Sequence, residues 1–414
     1  MIKKIIPVLV FGMILLTACN LPGRLPQGTT TTVNPVLTAD ITQPSDGLTN
    51  FTPSAVIRLF PDGSGDYASL IQAVENAPVG ASIILATGTY ELTDFLDIEK
   101  SLTITGAGMD QTVITTIIGE DAIGFYGPGT FTLSDLTIQY AGTSPSDVFL
   151  VDNGTVFISN CRFTGGVEDT GDAAIGYGVG LFIQGTSDGI IQNSQFLHNQ
   201  SGGLVIIDDS SITIQSNTFT INTDSGLTLR GTYSGLVEGN TSTYNKFHGI
   251  ALMDNTSATL QSNFCSNNEN SGIVFFDNSV GSAKENESTK NGFHGIAVLG
   301  NSHPLLEENT CSENTYDGIA YFENAYGTAR GNNCLNNVGN GLSAADNSSP
   351  TVESNIFSYN MLSGVSFYPG SAGSAQGNTC AFNGWGIYVE KGANPTLGNN
   401  TVYSNTTADI LDER

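Results

Sequence analysis

Gly249-Ile250-Ala251-Leu252-Met253-Asp254-Asn255 is followed 23 residues later by Gly272-Ile273-Val274-Phe275-Phe276-Asp277-Asn278. The same glycine-aliphatic opening stands at 180, 203, 226, 249, 272, 295, 318, 341 and 364, and a tenth copy, Gly386-Ile387, comes one residue early. A fixed period of this size marks a solenoid, in which each repeat stacks on the last. One and three steps after the glycine the residues are mostly apolar (Leu204 and Ile206, Ile250 and Leu252, Ile273 and Phe275), as in a strand with one buried face. Asp254-Asn255, Asp277-Asn278 and Asp346-Asn347 then make turns. Apolar positions return at step eleven (Ile214, Val237, Leu260), and step sixteen is Phe or small (Phe196, Phe219, Ser242, Cys265). Each repeat is therefore three short strands and three turns, with no stretch for a helix.

A strand rises only ~3.3 Å per residue, so a repeat this long must close into a coil, and stacked coils lie about 4.8 Å apart. Two asparagine series support the stacking: Asn217, Asn240, Asn263, Asn286 and onward at step fourteen, and Asn199, Asn222, Asn245, Asn268 and onward at step nineteen. An amide can bond to the same amide one coil on, and asparagine tolerates the left-handed backbone of a tight turn. The fold class expected is all-β, a parallel solenoid of ~23 residues per coil. Irregular coils should fill 81–179 and regular ones 180–408, within a β-helix domain of 55–414.

The ends differ in composition. Lys3 and Lys4 precede the apolar run Ile5 to Leu16, too short to span a bilayer, and Leu16-Thr17-Ala18-Cys19 resembles the lipobox of bacterial lipoproteins. That resemblance implies a signal peptide over 1–18, cleavage before Cys19, lipid on its thiol, and an exported, membrane-tethered product. Residues 19–54, rich in Thr and Pro, read as a tether. Asp66 or Ser69 can cap a helix whose Leu70, Ile71, Ala73 and Val74 share one face, a lid for the open first coil.

The stretch from Pro61-Asp62-Gly63-Ser64-Gly65-Asp66-Tyr67 to Gly106-Ala107-Gly108-Met109-Asp110 resembles the start of pectinesterases. Their catalytic motifs are missing: Gly154-Thr155-Val156-Phe157-Ile158 lacks the aspartate, and there is no Gln-Asp-Thr. The resemblance supports their fold and argues against their activity. From about 55 to the end the chain resembles the right-handed parallel β-helix proteins of the pectate-lyase-like superfamily, especially PbH1-repeat and NosD-like members. Right-handedness follows from that resemblance and from the rule for parallel crossovers.

Charge narrows the partners. Acids outnumber bases 39 to 13, for a net charge of −26. Such a surface repels nucleic acid, and it repels a polyuronate unless calcium lies between them. The loop Thr164 to Asp172 exceeds what a coil needs, and its Glu168, Asp169 and Asp172 are calcium candidates, though such loops are usually only solvated. Cys265, Cys311, Cys334 and Cys380 share step sixteen and should be buried free thiols.

The remaining feature is an apolar stripe where a solvated face would be expected. Steps two and four of the first strand point outward and carry Met253, Phe276, Leu299 and Phe322, then Tyr368 and Tyr388. Phe247-His248, Phe293-His294, Tyr316-Asp317 and Trp385 sit just before the glycines, with Lys246 beside them. An exposed aromatic ladder suits an extracellular sugar chain lying ring against ring, unless a loop, the tether or another subunit covers it. His294 with Asp317, or His248 with Lys246, are the only candidate acid-base pairs for a lyase, hydrolase or epimerase. Without them the readings are a glycan-binding surface protein or a structural, adhesive spacer. Copper delivery of the NosD-like kind would need a compact Met/His ligand set, which the spacing does not give.

Overall fold

The computed structural model describes residues 55–169 and 177–414. Cys19, the signal segment, the tether and Asp172 lie outside the described residues. Apart from one short helix the regular structure is all β-strand, joined by turns, and every pairing between named strands is parallel, in the regular coils to the equivalent strand of the next coil. In one regular coil the strands are Leu204–Ile206, Thr213–Gln215 and Thr218–Thr220, one on each of three faces. Leu204 pairs with Leu227, Leu227 with Ile250 and Ile250 with Ile273, so one turn of backbone equals one sequence period. The early tenth copy keeps register: Asn360 still bonds to Asn383, 23 on, whereas Ser363 pairs with Trp385, 22 on. The missing residue is absorbed in the corner between them.

The period follows from what fills the coil. Ile250, Leu252, Leu260 and Cys265 all point inward and are fully buried. Step sixteen stacks in a file, with Phe163, Phe196 and Phe219 at ring-centroid spacings of 5.1 Å. Its cysteines are buried and free, as is Cys161 earlier in the chain. The repeating glycine is a matter of space. A Cβ on Gly295 would sit 2.5 Å from the carbonyl oxygen of Gly318 in the next coil.

Both asparagine columns form continuous ladders. Asn240 Nδ2 donates to Asn263 Oδ1 at 3.0 Å, and Asn263 Nδ2 to Asn286 Oδ1 at 2.9 Å. Each amide also donates to a buried carbonyl, as Asn263 does to Val237 at 2.9 Å, and receives a backbone N–H from the preceding coil. One part of the expectation is corrected. The left-handed residue is not the ladder asparagine but the one before it, such as Ser216 (φ 56), Ile221 (φ 55), Tyr244 (φ 56), Ser262 (φ 52) and Lys290 (φ 58). The asparagines are there for four buried hydrogen bonds, and their neighbours take the bend.

At the N-terminal end the helix Leu70–Asn76 buries Leu70, Ala73 and Val74 over the first coil. Ser69 caps it, its Oγ accepting from Gln72 N at 3.2 Å, while Asp66 instead accepts from Arg58 N at 2.7 Å. No helix among the described residues is long and apolar enough to cross a membrane.

Candidate functional site

The first strands of successive coils build one face, and its outward positions fall into three parallel columns. The middle column, two steps after the glycine, is small: Ala251, Val274, Ala297, Ala320, Ser343 and Ser366, all buried. The column at step four carries Met253, Phe276, Leu299, Phe322 and Tyr368, each half-buried. The third, two residues before the glycine, carries Phe247, Phe293 and Tyr316, of which Phe293 and Tyr316 remain 38% and 47% exposed; Trp385 falls instead immediately before its glycine, paired with Ser363. The larger side chains lean over the small middle column. Leu299 packs on Ala251, Val274 and Ala297, and the Phe322 ring lies 5.4 Å from that of His294. Where the sequence suggested a flat exposed ladder, the structure has a shallow, half-lidded trough, because small residues at step two let their neighbours close inward.

The residue immediately before the glycine forms another column, and it holds the catalytic candidates. Asp317 N donates to His294 Nδ1 at 3.2 Å, Asn340 N to Asp317 Oδ1 at 2.6 Å, and Ser363 N to Asn340 Oδ1 at 3.1 Å. The same bond recurs earlier, from His248 N to Ser225 Oγ, Asp147 N to Asp121 Oδ1 and Val179 N to Asp147 Oδ1. It is a corner ladder in which a side chain caps a backbone N–H of the next coil, interrupted at His248, whose Nδ1 has no partner.

His294 and Asp317 are brought together as expected, but not as an acid-base pair. Because His294 Nδ1 accepts a backbone proton, the ring hydrogen is assigned to Nε2, which is buried with no partner. Asp317 Oδ1 also takes Asn340 Nδ2 at 2.8 Å, and its Oδ2 takes Ser343 Oγ at 2.7 Å. Burial holds His294 below the usual imidazole range despite the nearby Asp317, and it pushes His248 down to about 3. A general base needs an accessible lone pair within reach of substrate. His294 offers none to the trough, His248 is buried with its Nδ1 unpartnered, and Lys246 points into solvent.

The right handed beta helix region family matches residues 146–302 and 281–407. The chain belongs to that family. Two solved structures share the β-helix fold at low identity. One is the catalytic unit of a thermostable GH87 α-1,3-glucanase from Streptomyces thermodiastaticus strain HF3-3, with 18% identity and a TM-score of 0.59 over 86% of this chain and 70% of that one. The other is the periplasmic alginate epimerase AlgG, with 15% identity and a TM-score of 0.51 over 86% and 83%. No curated protein matches the chain.

Other parts of this β-helix place the remaining candidates. Glu168 and Asp169 lie where the acidic loop leaves the coil, and no group of three metal-ligating side chains occurs among the described residues. Two cavities, of about 460 and 340 Å³, sit by the capping helix, away from the trough. Several residues that shape the trough were missed by sequence reasoning. Asn340 and Ser343 tie up Asp317, Ser366 Oγ donates to Asn340 Oδ1 at 2.9 Å, and Asn340 Nδ2 also reaches Tyr368 Oη at 3.3 Å. Their signal was positional: Asn340 stands one period after Asp317. Glu413 was missed too; it meets Tyr388 Oη at 3.4 Å from the last strand.

Proposed function

We propose that this β-helix protein binds an extracellular polysaccharide along the trough and does not turn it over. One observation carries the reading. The aromatic and apolar side chains of four consecutive coils line a single outward groove, while the His294 and Asp317 side chains beside it are spent on capping backbone and the His248 ring is buried. Half-exposed rings in file present stacking faces to successive sugars. The β-helix likeness to a glucanase and an alginate epimerase supports a carbohydrate partner. In this reading the chain is exported and anchored by lipid on Cys19, which holds the trough outside the membrane; Cys19→Ser should move it out of the membrane fraction, and its retention there would remove that part.

The binding claim is tested by retardation of the full chain in gels containing polysaccharide, beside Phe276→Ala/Phe322→Ala. Retardation lost in the double variant, with its β-sheet circular dichroism unchanged, is the expected result. Retardation that survives would sink the claim, and sugar product that disappears in His294→Ala would contradict the absence of turnover.

A further inference from the structure

From the charges around the trough we infer that its ligand is an amino polysaccharide whose ammonium groups are read by Trp385, Tyr368, Tyr388, Glu390 and Glu413. This rests on the binding reading above and names the class of sugar it takes. The first observation is the rim. The turn after step four carries Asp208, Asp254, Asp277, Glu323 and Asp346 on the same side of five coils, with Gly231 and Gly300 at the equivalent place in the two coils between. Each is fixed by a backbone N–H of the preceding coil, as Asp254 Oδ2 is by Gly231 N at 3.0 Å and Asp346 Oδ2 by Glu323 N at 3.1 Å. These carboxylates are therefore held in a row beside the groove.

The second observation is what opposes them. Between Gly249 and Glu390 the only cations are Lys284, Lys290 and Arg330, with the exposed Lys246 and Lys391 just outside either end of that span. All three are engaged on other faces, by Glu285 and Glu308, by Glu313 and by Glu307. Arg230, at the near end of the step-four column, is paired with Asp254 at 3.2 Å. A uronate chain would bring one carboxylate per sugar to a row of carboxylates with no guanidinium to receive it.

The third observation is the C-terminal end of the groove. Trp385 and Tyr388 have ring centroids 5.9 Å apart, and Tyr368 stands edge-on to Tyr388 at 6.3 Å. Glu390 occupies the step-four column here, and Glu413 meets the Tyr388 hydroxyl. Arg414 does not neutralise Glu413, because its guanidinium is bound to Asp412 and the Pro395 carbonyl. Burial and then the Glu390 and Glu413 carboxylates push the Tyr388 phenol up to about 12. Aromatic faces beside carboxylates attract an alkylammonium group through cation–π and ionic terms together.

The test measures binding of the full chain by calorimetry at ~150 mM salt, with EDTA present and at a pH where amines are charged. The probes are a glucosamine hexamer, its N-acetylated counterpart, an oligouronate and an oligolysine of equal charge. The glucosamine hexamer should bind about tenfold more tightly than the acetylated one, and the oligouronate should not bind. Glu390→Gln/Glu413→Gln should erase that preference. Glu308→Gln/Glu313→Gln, on another face, should change nothing. Oligouronate binding without calcium, oligolysine binding as tight as glucosamine, or a preference that survives Glu390→Gln/Glu413→Gln each overturns the inference. Failure of every sugar to bind would instead bring down the reading it rests on.

Discussion

His248 shows how a residue's type can suggest chemistry that its place denies. A histidine beside an aromatic reads as a candidate base, yet its ring is buried and its backbone N–H caps onto Ser225. Desolvation lowers the ring to about 3, only partly offset by the Ser271 carbonyl, and His294 lowers it further. The folded value thus lies below the unfolded one, near 6.5. Above 6.5 the ring is neutral in both states and costs nothing. As pH falls from there the unfolded chain gains a proton that the folded chain refuses, so stability is lost, by on the order of 4 kcal/mol if carried through to the folded value. The unfolding midpoint should fall between pH 6.5 and 3, and His248→Asn should flatten part of that slope. Equal slopes in the two proteins would show that the ring is not buried neutral. None of this burial could be read from the pair Phe247-His248 alone. The period held a better clue: Ser225, His248, Ser271, His294, Asp317, Asn340 and Ser363 are one column of polar side chains.

At the scale of the element, the coil was legible because its inward positions repeat in kind. Ile250, Leu260 and Cys265 mark three faces, and each returns 23 residues later as an apolar or small residue. The turns were half-legible. Ladder asparagines are uniform and could be found, whereas the left-handed residues before them vary (Ser216, Ile221, Tyr244, Lys290) and leave no compositional trace. The division of labour makes a paired prediction. Ile221 is β-branched at φ 55, so Ile221→Gly should be neutral or stabilising, by up to ~1 kcal/mol. Asn222 donates to the Phe196 carbonyl at 3.1 Å and to Asn245 at 3.0 Å, and its oxygen accepts from Asn199. Asn222→Gly strands those groups in the core and should cost roughly 3 kcal/mol. Urea midpoints read both; shifts in the same direction would refute the assignment of bend and bond to different residues.

For the whole molecule, stacking turns a sequence period into surface columns, and the columns carry the function proposed. The sequence showed which residues share a column but not how deep they lie, because depth depends on neighbours in the adjacent column. Phe322 is half-covered since Ala297 and Ala320 leave room for it to lean. Other aromatic residues also reach solvent: Tyr359 and Phe382 stack at 5.0 Å on a separate corner, with Tyr403 edge-on at 5.7 Å. The trough and that corner are rival platforms. The most direct measurement is a hydroxyl-radical footprint of the full chain with and without a bound polysaccharide. Protection of Met253, Phe276, Phe322, Trp385 and Tyr388, with Tyr359, Phe382 and Tyr403 still reactive, is the predicted result. Protection confined to Tyr359, Phe382 and Tyr403 would contradict the account.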